Sequence, residues 1–302
     1  MLEMVNKWFD VFEATLSEYG IQPQDVYNMD ETGFSIGMIQ ASRAVVSTDI
    51  STQYQAHPGQ QEWVSIVECI CADGTRLPPL MIFTSETLST SWIPPSIPDD
   101  WRFSCNTRGW TSNIHGLEWL RWCFEPSTRY KANGHTRLLI CDGHDSHISA
   151  NFIAHCINNN IVLLILPPHT SHILQPLDVG LFSPLKQAVS VHLNRISSTG
   201  INRFQKAEFA DSYFQAGITA FRATNTQGGW RGVGLFPLNR HRVFRYIPQA
   251  ITPPPSIPFT STDTPFDSQL INSSPPNAVS LHDTNTALNE LLNRQQPLHT
   301  PA

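Results

Sequence analysis

L-L-I-C-D-G-H-D-S-H-I-S-A-N-F-I-A-H-C-I-N-N-N-I-V-L-L-I-L, residues 138–166, reads as strand, helix, strand. Leu138–Cys141 and Ile161–Leu166 are wholly apolar runs, the pattern of strands buried on both faces. A helix is predicted between them at about residues 149–158. Strands joined by such a crossover run parallel, and the crossover is right-handed. The segment therefore sets an α/β class. Ligands of open α/β sheets collect at the carboxyl ends of strands, where this stretch places Asp142 and Gly143.

Working outward, Val26–Met29 is predicted as a short strand that delivers Asp30 at its end, with Gly33 permitting a turn. Further strands are expected at Ala44–Ser47, Trp63–Cys71 and Pro79–Phe83, the last two joined through Asp73-Gly74. Val5, Trp8, Phe9, Phe12 and Leu16 recur at helical spacing, so residues 3–19 form an amphipathic helix that Gly20 ends. Residues 84–112, rich in Ser, Thr, Pro and Trp, are expected to be irregular, followed by a helix at Ile114–Phe124. Pro167-Pro168 breaks the second apolar strand, a loop runs through His169 and His172, and Asp178 precedes a helix at Leu181–Arg195. A last helix is predicted at 205–224, then a flexible turn at Gly228-Gly229 and Gly232. The expected layout is an N-terminal helix (1–20), one domain (21–247) and a tail (248–302). Pro, Ser, Thr and Asn dominate the tail, so disorder is expected there, with one short helix at Thr286–Asn293.

Composition bounds the function. The chain has 302 residues, 40% hydrophobic and 15% charged, enough for a large core. A formal net charge of -6 gives no broad attraction for nucleic acid, so any such binding must be local. Glu3, Lys7, Asp10 and Glu13 interrupt the first helix and exclude a signal peptide or membrane span there. Six cysteines without a Cys-x-x-Cys pair read as reduced thiols of an intracellular protein.

Three acidic stretches carry chemistry: V-Y-N-M-D-E-T-G around Asp30, L-L-I-C-D-G-H-D-S-H around Asp142, and L-P-P-H-T-S-H-I-L-Q-P-L-D-V-G-L-F around Asp178. Hard divalent cations prefer oxygen ligands and keep several waters, so a few carboxylates from separate segments suffice for a catalytic site. One Asp after a strand is more often a turn former or cap; three in such motifs are not. In this order, and with G-Q-Q-E-W-V-S-I-V-E-C-I-C-A-D-G at Gly59–Gly74, G-L-E-W-L-R-W-C-F at Gly116–Phe124 and G-L-F-P-L-N at Gly234–Asn239, the motifs resemble the DDE superfamily endonuclease domain of pogo-like transposases. These form a branch of the Tc1/mariner group related to Jerky-type and centromere-binding domesticated proteins. The 35 residues between Asp142 and Asp178 also agree with that family.

The resemblance implies an RNase H-like mixed sheet flanked by helices, with Asp30, Asp142 and Asp178 as catalytic metal ligands. It implies Mg²⁺ or Mn²⁺, two ions about 3.5–4 Å apart, with Asp30 bridging them. DNA is the implied partner, as transposon ends or non-specific duplex, together with a full-length transposase or a second copy. The nucleus is the implied location. Relatives carry helix-turn-helix modules ahead of this domain, whereas one helix takes up the 29 residues before Asp30, so sequence-specific DNA recognition is expected to be missing.

Around the triad, Glu31, His144, His147, His172, Gln175 and Lys186 are the expected orienting or phosphate-contacting residues, His147 as part of the family's D-G-H-x-S-H motif. Glu31 should point away from Asp30 on extended backbone. The two H-x-x-H pairs suit zinc less well than hydrogen bonding beside the aspartates. Of the tryptophans, Trp92 and Trp101 are the expected surface contacts and the rest core; Thr84–Trp92 lacks the basic residue and glycine usual in the family. Two functions stay open: a metal-dependent DNA endonuclease or strand transferase, and a catalytically silent or domesticated protein that binds nucleic acid or a partner. A nuclease acting on RNA hybrids is the weaker third.

Overall fold

The structure, a computed structural model, describes residues 1–37, 62–144, 147–197 and 204–247. The strand predicted at Ala44–Ser47, the tail from 248 and its helix at 286–293 lie outside the described residues. Six strands form one mixed sheet: β1 (Val26–Ile36), β2 (Glu62–Cys71), β3 (Leu80–Thr84), β4 (Arg102–Asn106), β5 (Arg137–Cys141) and β6 (Ile161–Ile165). They lie in the order β4-β3-β2-β1-β5-β6. β1, β2 and β3 pair antiparallel, while β4 joins β3, and β5 and β6 follow β1, in parallel. Helix α4 (Ala150–Asn158) makes the predicted crossover between β5 and β6. With helices on both faces, this is the RNase H-like arrangement that the resemblance implies.

Strand alternation divides the core in two. Val26, Val64, Ile66, Leu138 and Ile140 face one layer, which is completed by α1 (Leu2–Tyr19), α7 (Phe182–Ser197) and α8 (Lys206–Ala220). Tyr27, Met29, Val67, Cys69, Leu139 and Cys141 face the other, against α4 and the helices from residue 113 to 132. Helix α1 forms as predicted and buries Val5, Trp8, Phe9 and Phe12. The Trp8 indole N–H donates to the Ile165 carbonyl at 2.8 Å, which fastens the helix to the end of β6.

Four local expectations are corrected. β1 does not stop at Met29: it runs 11 residues, and its outer half pairs with β2 from Asp30↔Glu68 to Ile36↔Glu62. Gly33 makes no turn; the Trp63 indole lies over it, so a Cβ there would sit 2.0 Å from Trp63 Cζ2. Residues 84–112 contain strand β4, whose five half-buried residues lack the alternation that would have marked it. The helix expected at Ile114–Phe124 is longer: α2 (Asn113–Trp119) passes through a π-helical turn at Leu120–Phe124 into α3 (Glu125–Ala132). Pro126 sits in the first turn of α3, where its missing N–H is tolerated.

A fifth correction concerns Gly228 and Gly229, which lie inside helix α9 (Ala223–Gly232). They permit contact: α9 packs on α6 (Pro176–Gly180) so closely that a Cβ on Gly180 would lie 2.6 Å from the Gly229 Cα. Backbone stands on both sides and cannot yield as a side chain would. Gly180→Ala is therefore expected to lose about 1–3 kcal/mol of stability through overpacking, read as a lower urea midpoint at unchanged m-value.

Candidate active site

β1 outruns its neighbour. It pairs with β5 through Val26, Tyr27 and Asn28 and then continues along β2 alone, so Asp30 stands two residues past the last β5 pair. Asp142 follows the last residue of β5, at the same end of the sheet. Asp178 lies in α6, whose first turn is tied back to β1: the Leu177 N–H donates to Asn28 Oδ1 at 3.2 Å. Asn28 Nδ2 donates to the Ile140 carbonyl at 3.1 Å and to Gln175 Oε1 at 2.8 Å. Gln175 Nε2 donates to the Met29 carbonyl at 3.1 Å, and the side chain also hydrogen-bonds Asp30. Asn28 and Gln175 are fully buried, so this knot holds all three carboxylate-bearing segments together.

The carboxylates feel one another's charge. Burial foremost, then repulsion from Asp178, pushes the Asp30 carboxyl up to about 8, against the Glu31 N–H that it accepts at 2.7 Å. Asp178 is raised by desolvation and by Asp142, while Lys186 and His172 pull it down. Asp142 behaves differently: burial raises it, but hydrogen bonds from His147 and from the His144 N–H at 3.0 Å outweigh that and hold it low.

His147 is buried between two carboxylates. Its Nδ1–H donates to Asp142 Oδ1 at 2.9 Å and its Nε2–H to Glu31 Oε1 at 3.1 Å. Desolvation would lower its pKa, but the bonds to Asp142, Cys141 and Glu31 prevail and raise it well above the usual histidine value. An imidazole donating from both nitrogens is an imidazolium, so a fixed cation stands behind Asp142. Glu31, on the opposite face from Asp30 as expected, lies beside Thr111 and is held low by His147 despite its burial. His172 and Lys186 are exposed near Asp178, and the Lys186 Nζ lies 5.9 Å from the Phe34 ring centroid.

Three features were not foreseen. Asn28 was legible, as a polar residue on an inward strand position two before Asp30. Thr111 was not, because loop sequence gives no register. Glu68, opposite Asp30 on β2, carries a third feature: it is fully buried and held by Arg76 and by the Tyr213 hydroxyl at 2.5 Å. That pairing neutralises a carboxylate beneath the site.

An oxygen-rich, mutually repelling set of carboxylates suits a hard divalent cation, which would relieve the repulsion. Among the described residues no three His, Cys, Asp or Glu side chains converge closely enough to hold a metal ion. No described helix is long and apolar enough to cross a membrane.

The family profile for "DDE superfamily endonuclease" matches residues 60–226, more than half of the chain. The chain belongs to the DDE superfamily endonucleases. The match includes Asp142 and Asp178 and begins after Asp30. Among curated proteins, this DDE endonuclease domain is similar to "MFS-type transporter clz9" of Cochliobolus lunatus, 36% identical over 263 residues, covering 87% of this chain and 28% of that protein. It is also similar to "Pogo transposable element with KRAB domain" of Mus musculus, 27% identical over 136 residues, covering 44% of this chain and 21% of that protein. The chain thus spans under a third of the length of either relative. Among solved structures it is similar to the Mos1 mariner paired end complex with Mn (TM-score 0.46, 11% identity, covering 77% of this chain and 59% of that one). The Mos1 paired end complex with Mg gives a TM-score of 0.44 at 14% identity, covering 80% and 61%.

Proposed function

We propose that this DDE domain is a metal-dependent DNA endonuclease and strand transferase whose catalytic groups are Asp30, Asp142 and Asp178. The observation that carries this is the placing of three carboxylates from β1, the end of β5 and α6 at one end of the sheet, with Asp30 raised by burial and by Asp178, and Asp178 by desolvation and by Asp142. A buried carboxylate that costs stability and serves no packing purpose marks a functional site.

Asp30, Asp142 and Asp178, which stand too far apart to share an ion as they are, would have to draw together to hold Mg²⁺ or Mn²⁺, which when bound supplies a nucleophilic oxygen at neutral pH and stabilises charge on the departing oxygen. The chain's own residues prepare for that. Gln175 and the Glu31 N–H fix the Asp30 carboxyl, and His147, braced by Glu31, fixes one oxygen of Asp142. Lys186, His172 and His144 lie on the exposed side, where a phosphate diester would approach; the lysine ammonium and the imidazole N–H donors there would hold the anionic backbone in register. DNA as substrate, further chain or a second copy as partner in end recognition, and a nuclear location belong to this proposal.

The test is nicking of supercoiled DNA by the purified chain. Cleavage is expected with Mg²⁺ or Mn²⁺, none with chelator, and a loss of about a thousandfold or more in Asp142→Asn and Asp178→Asn. Folded wild-type protein that binds DNA but leaves it intact with either metal would instead mark a retained fold without chemistry. Asp142→Asn that cleaves at the wild-type rate would remove the catalytic assignment.

A further inference from the structure

Ser183-Pro184-Leu185-Lys186 lies at the start of helix α7, five residues after Asp178, and the proposed function leaves its serine unused. We propose that Ser183 is a phosphorylation site for a proline-directed protein kinase, and that the phosphate it receives weakens the hold of this domain on DNA by engaging Lys186. The consequence for DNA rests on the nuclease reading above; the modification itself does not.

The sequence singles out this serine. Proline-directed kinases read Ser or Thr followed by proline and favour a basic residue two positions beyond it. The chain has five Ser-Pro or Thr-Pro pairs, beginning at 183, 252, 264, 274 and 300, and only Ser183 has Lys or Arg at that place. Ser183, Pro184, Lys186 and Gln187 are exposed. Among the described residues no hydrogen bond engages the Ser183 hydroxyl. Phe182 and Leu185 are buried, and the Leu185 N–H donates to the Leu181 carbonyl at 3.0 Å, so the turn opens before a kinase takes it. Pro184 lowers that cost: it contributes no N–H to the helix ladder, and a residue before proline is biased toward extended backbone.

Geometry gives the consequence. Residues three apart on a helix are neighbours on one face, so Lys186 stands beside Ser183. The Lys186 ammonium lies 5.9 Å from the Phe34 ring centroid on β1, and its charge pulls the Asp178 carboxyl down against desolvation and Asp142. Of the tryptophans expected at the surface, Trp101 is buried and Trp92 packs on Phe83 with the Lys206 ammonium 4.4 Å from its ring, which leaves more of any backbone contact to Lys186.

In the step itself Ser183 Oγ attacks the γ-phosphorus of ATP, the bond to the bridging oxygen breaks, ADP departs and the hydroxyl proton passes to a base of the kinase. The side chain then carries a charge of about −1.5 to −2 at pH 7 where it had none. Phosphoserine and ammonium pair, so Lys186 no longer meets a DNA phosphate, and the new anion repels the backbone. The first turn of α7 holds no acidic residue, and the helix dipole favours a negative group there, so the fold tolerates the phosphate.

The experiment treats the full chain with ATP and a purified proline-directed kinase, locates the phosphate by mass spectrometry, and measures affinity for a DNA duplex over about 50–200 mM salt. Wild type is expected to be modified at Ser183 and then to bind about tenfold more weakly, with a salt slope lower by about one, at a melting temperature no lower than before. Kinase-treated Ser183→Ala should keep the unmodified affinity, and Ser183→Glu should lose a smaller part of it. Wild type that takes no phosphate at Ser183 overturns the proposal and leaves the nuclease reading standing. So does phosphorylated protein that binds as tightly as before or has unfolded, or treated Ser183→Ala that weakens as wild type does. Unmodified wild type that binds no DNA overturns the nuclease reading and the inhibitory role together.

Discussion

Asp30→Asn is expected to melt at a higher temperature than wild type in the absence of metal, while losing cleavage by about a thousandfold or more. The two effects have one cause. Asp30 is 9% exposed and its carboxyl is pushed up to about 8, chiefly by burial and then by Asp178. In the unfolded chain the same group titrates near about 3.9. Between those values the folded protein holds a proton that the unfolded chain has released, so stability falls as pH rises from about 4 to about 8 and levels off beyond. Asparagine keeps the shape and the hydrogen-bonding capacity and has no proton to lose. At pH 7 the variant should therefore gain on the order of 2–4 kcal/mol. In a domain of this size that is about 5–10 °C. The sign is checked by melting both proteins across pH: the gap should widen from pH 5 to pH 8. A gap that is constant with pH, or reversed, would show that Asp30 is not held neutral in the metal-free protein. Loss of cleavage together with gain of stability separates a functional carboxylate from a structural one, because removing a structural carboxylate lowers both.

How much of this was legible follows from the physics of each signal. The strand-helix-strand at 138–166 was legible from its unbroken apolar runs, although only β5 is buried on both faces; β6, at the sheet edge, is mostly half-buried. The ends of elements were not. Met29-Asp30-Glu31-Thr32-Gly33 reads as a strand closing in a turn, yet pairing with β2 carries β1 to Ile36, and a distant tryptophan accounts for the glycine. Gly228-Gly229 misled in the same way: local propensity gives a turn, whereas contact with Gly180 explains the pair inside a helix. In both cases the residue type was chosen by a neighbour far along the chain. The site shows the same division. Asp30, Asp142, Asp178 and His147 stand in motifs, and the proposed site was read from those. The bonds that join His147 to Glu31, Asn28 to Gln175 and Leu177 to Asn28 cross between strands, helices and loops, and nothing local in the sequence carries their register.

The other large effect lies beneath the site. Arg76→Ala is expected to destabilise the protein by about 3–5 kcal/mol, because it leaves a buried charge without its partner. Glu68 is fully buried, and its two oxygens are taken by Arg76, from Nε at 2.8 Å and from Nη2, and by the Tyr213 hydroxyl. Arg76 in turn is enclosed by aromatic faces, with its guanidinium carbon 4.1 Å from the Phe221 ring centroid and 5.3 Å from that of Trp101. Lysine would not substitute, since it lacks the planar fork that satisfies both oxygens. Glu68 stands opposite Asp30 in the β1–β2 register, so an unpaired Glu68 would also add a negative charge beside a carboxyl already raised by its surroundings. The ion pair thus keeps one buried carboxylate compensated beside the three proposed catalytic ones. A double variant, Glu68→Gln with Arg76→Met, discriminates between loss of packing and loss of charge compensation. If charge is the cause, the double variant should recover at least half of the stability lost in Arg76→Ala, measured by urea unfolding. If it is no more stable than Arg76→Ala, the aromatic cage around the guanidinium, and not the buried charge, holds this part of the sheet to α8.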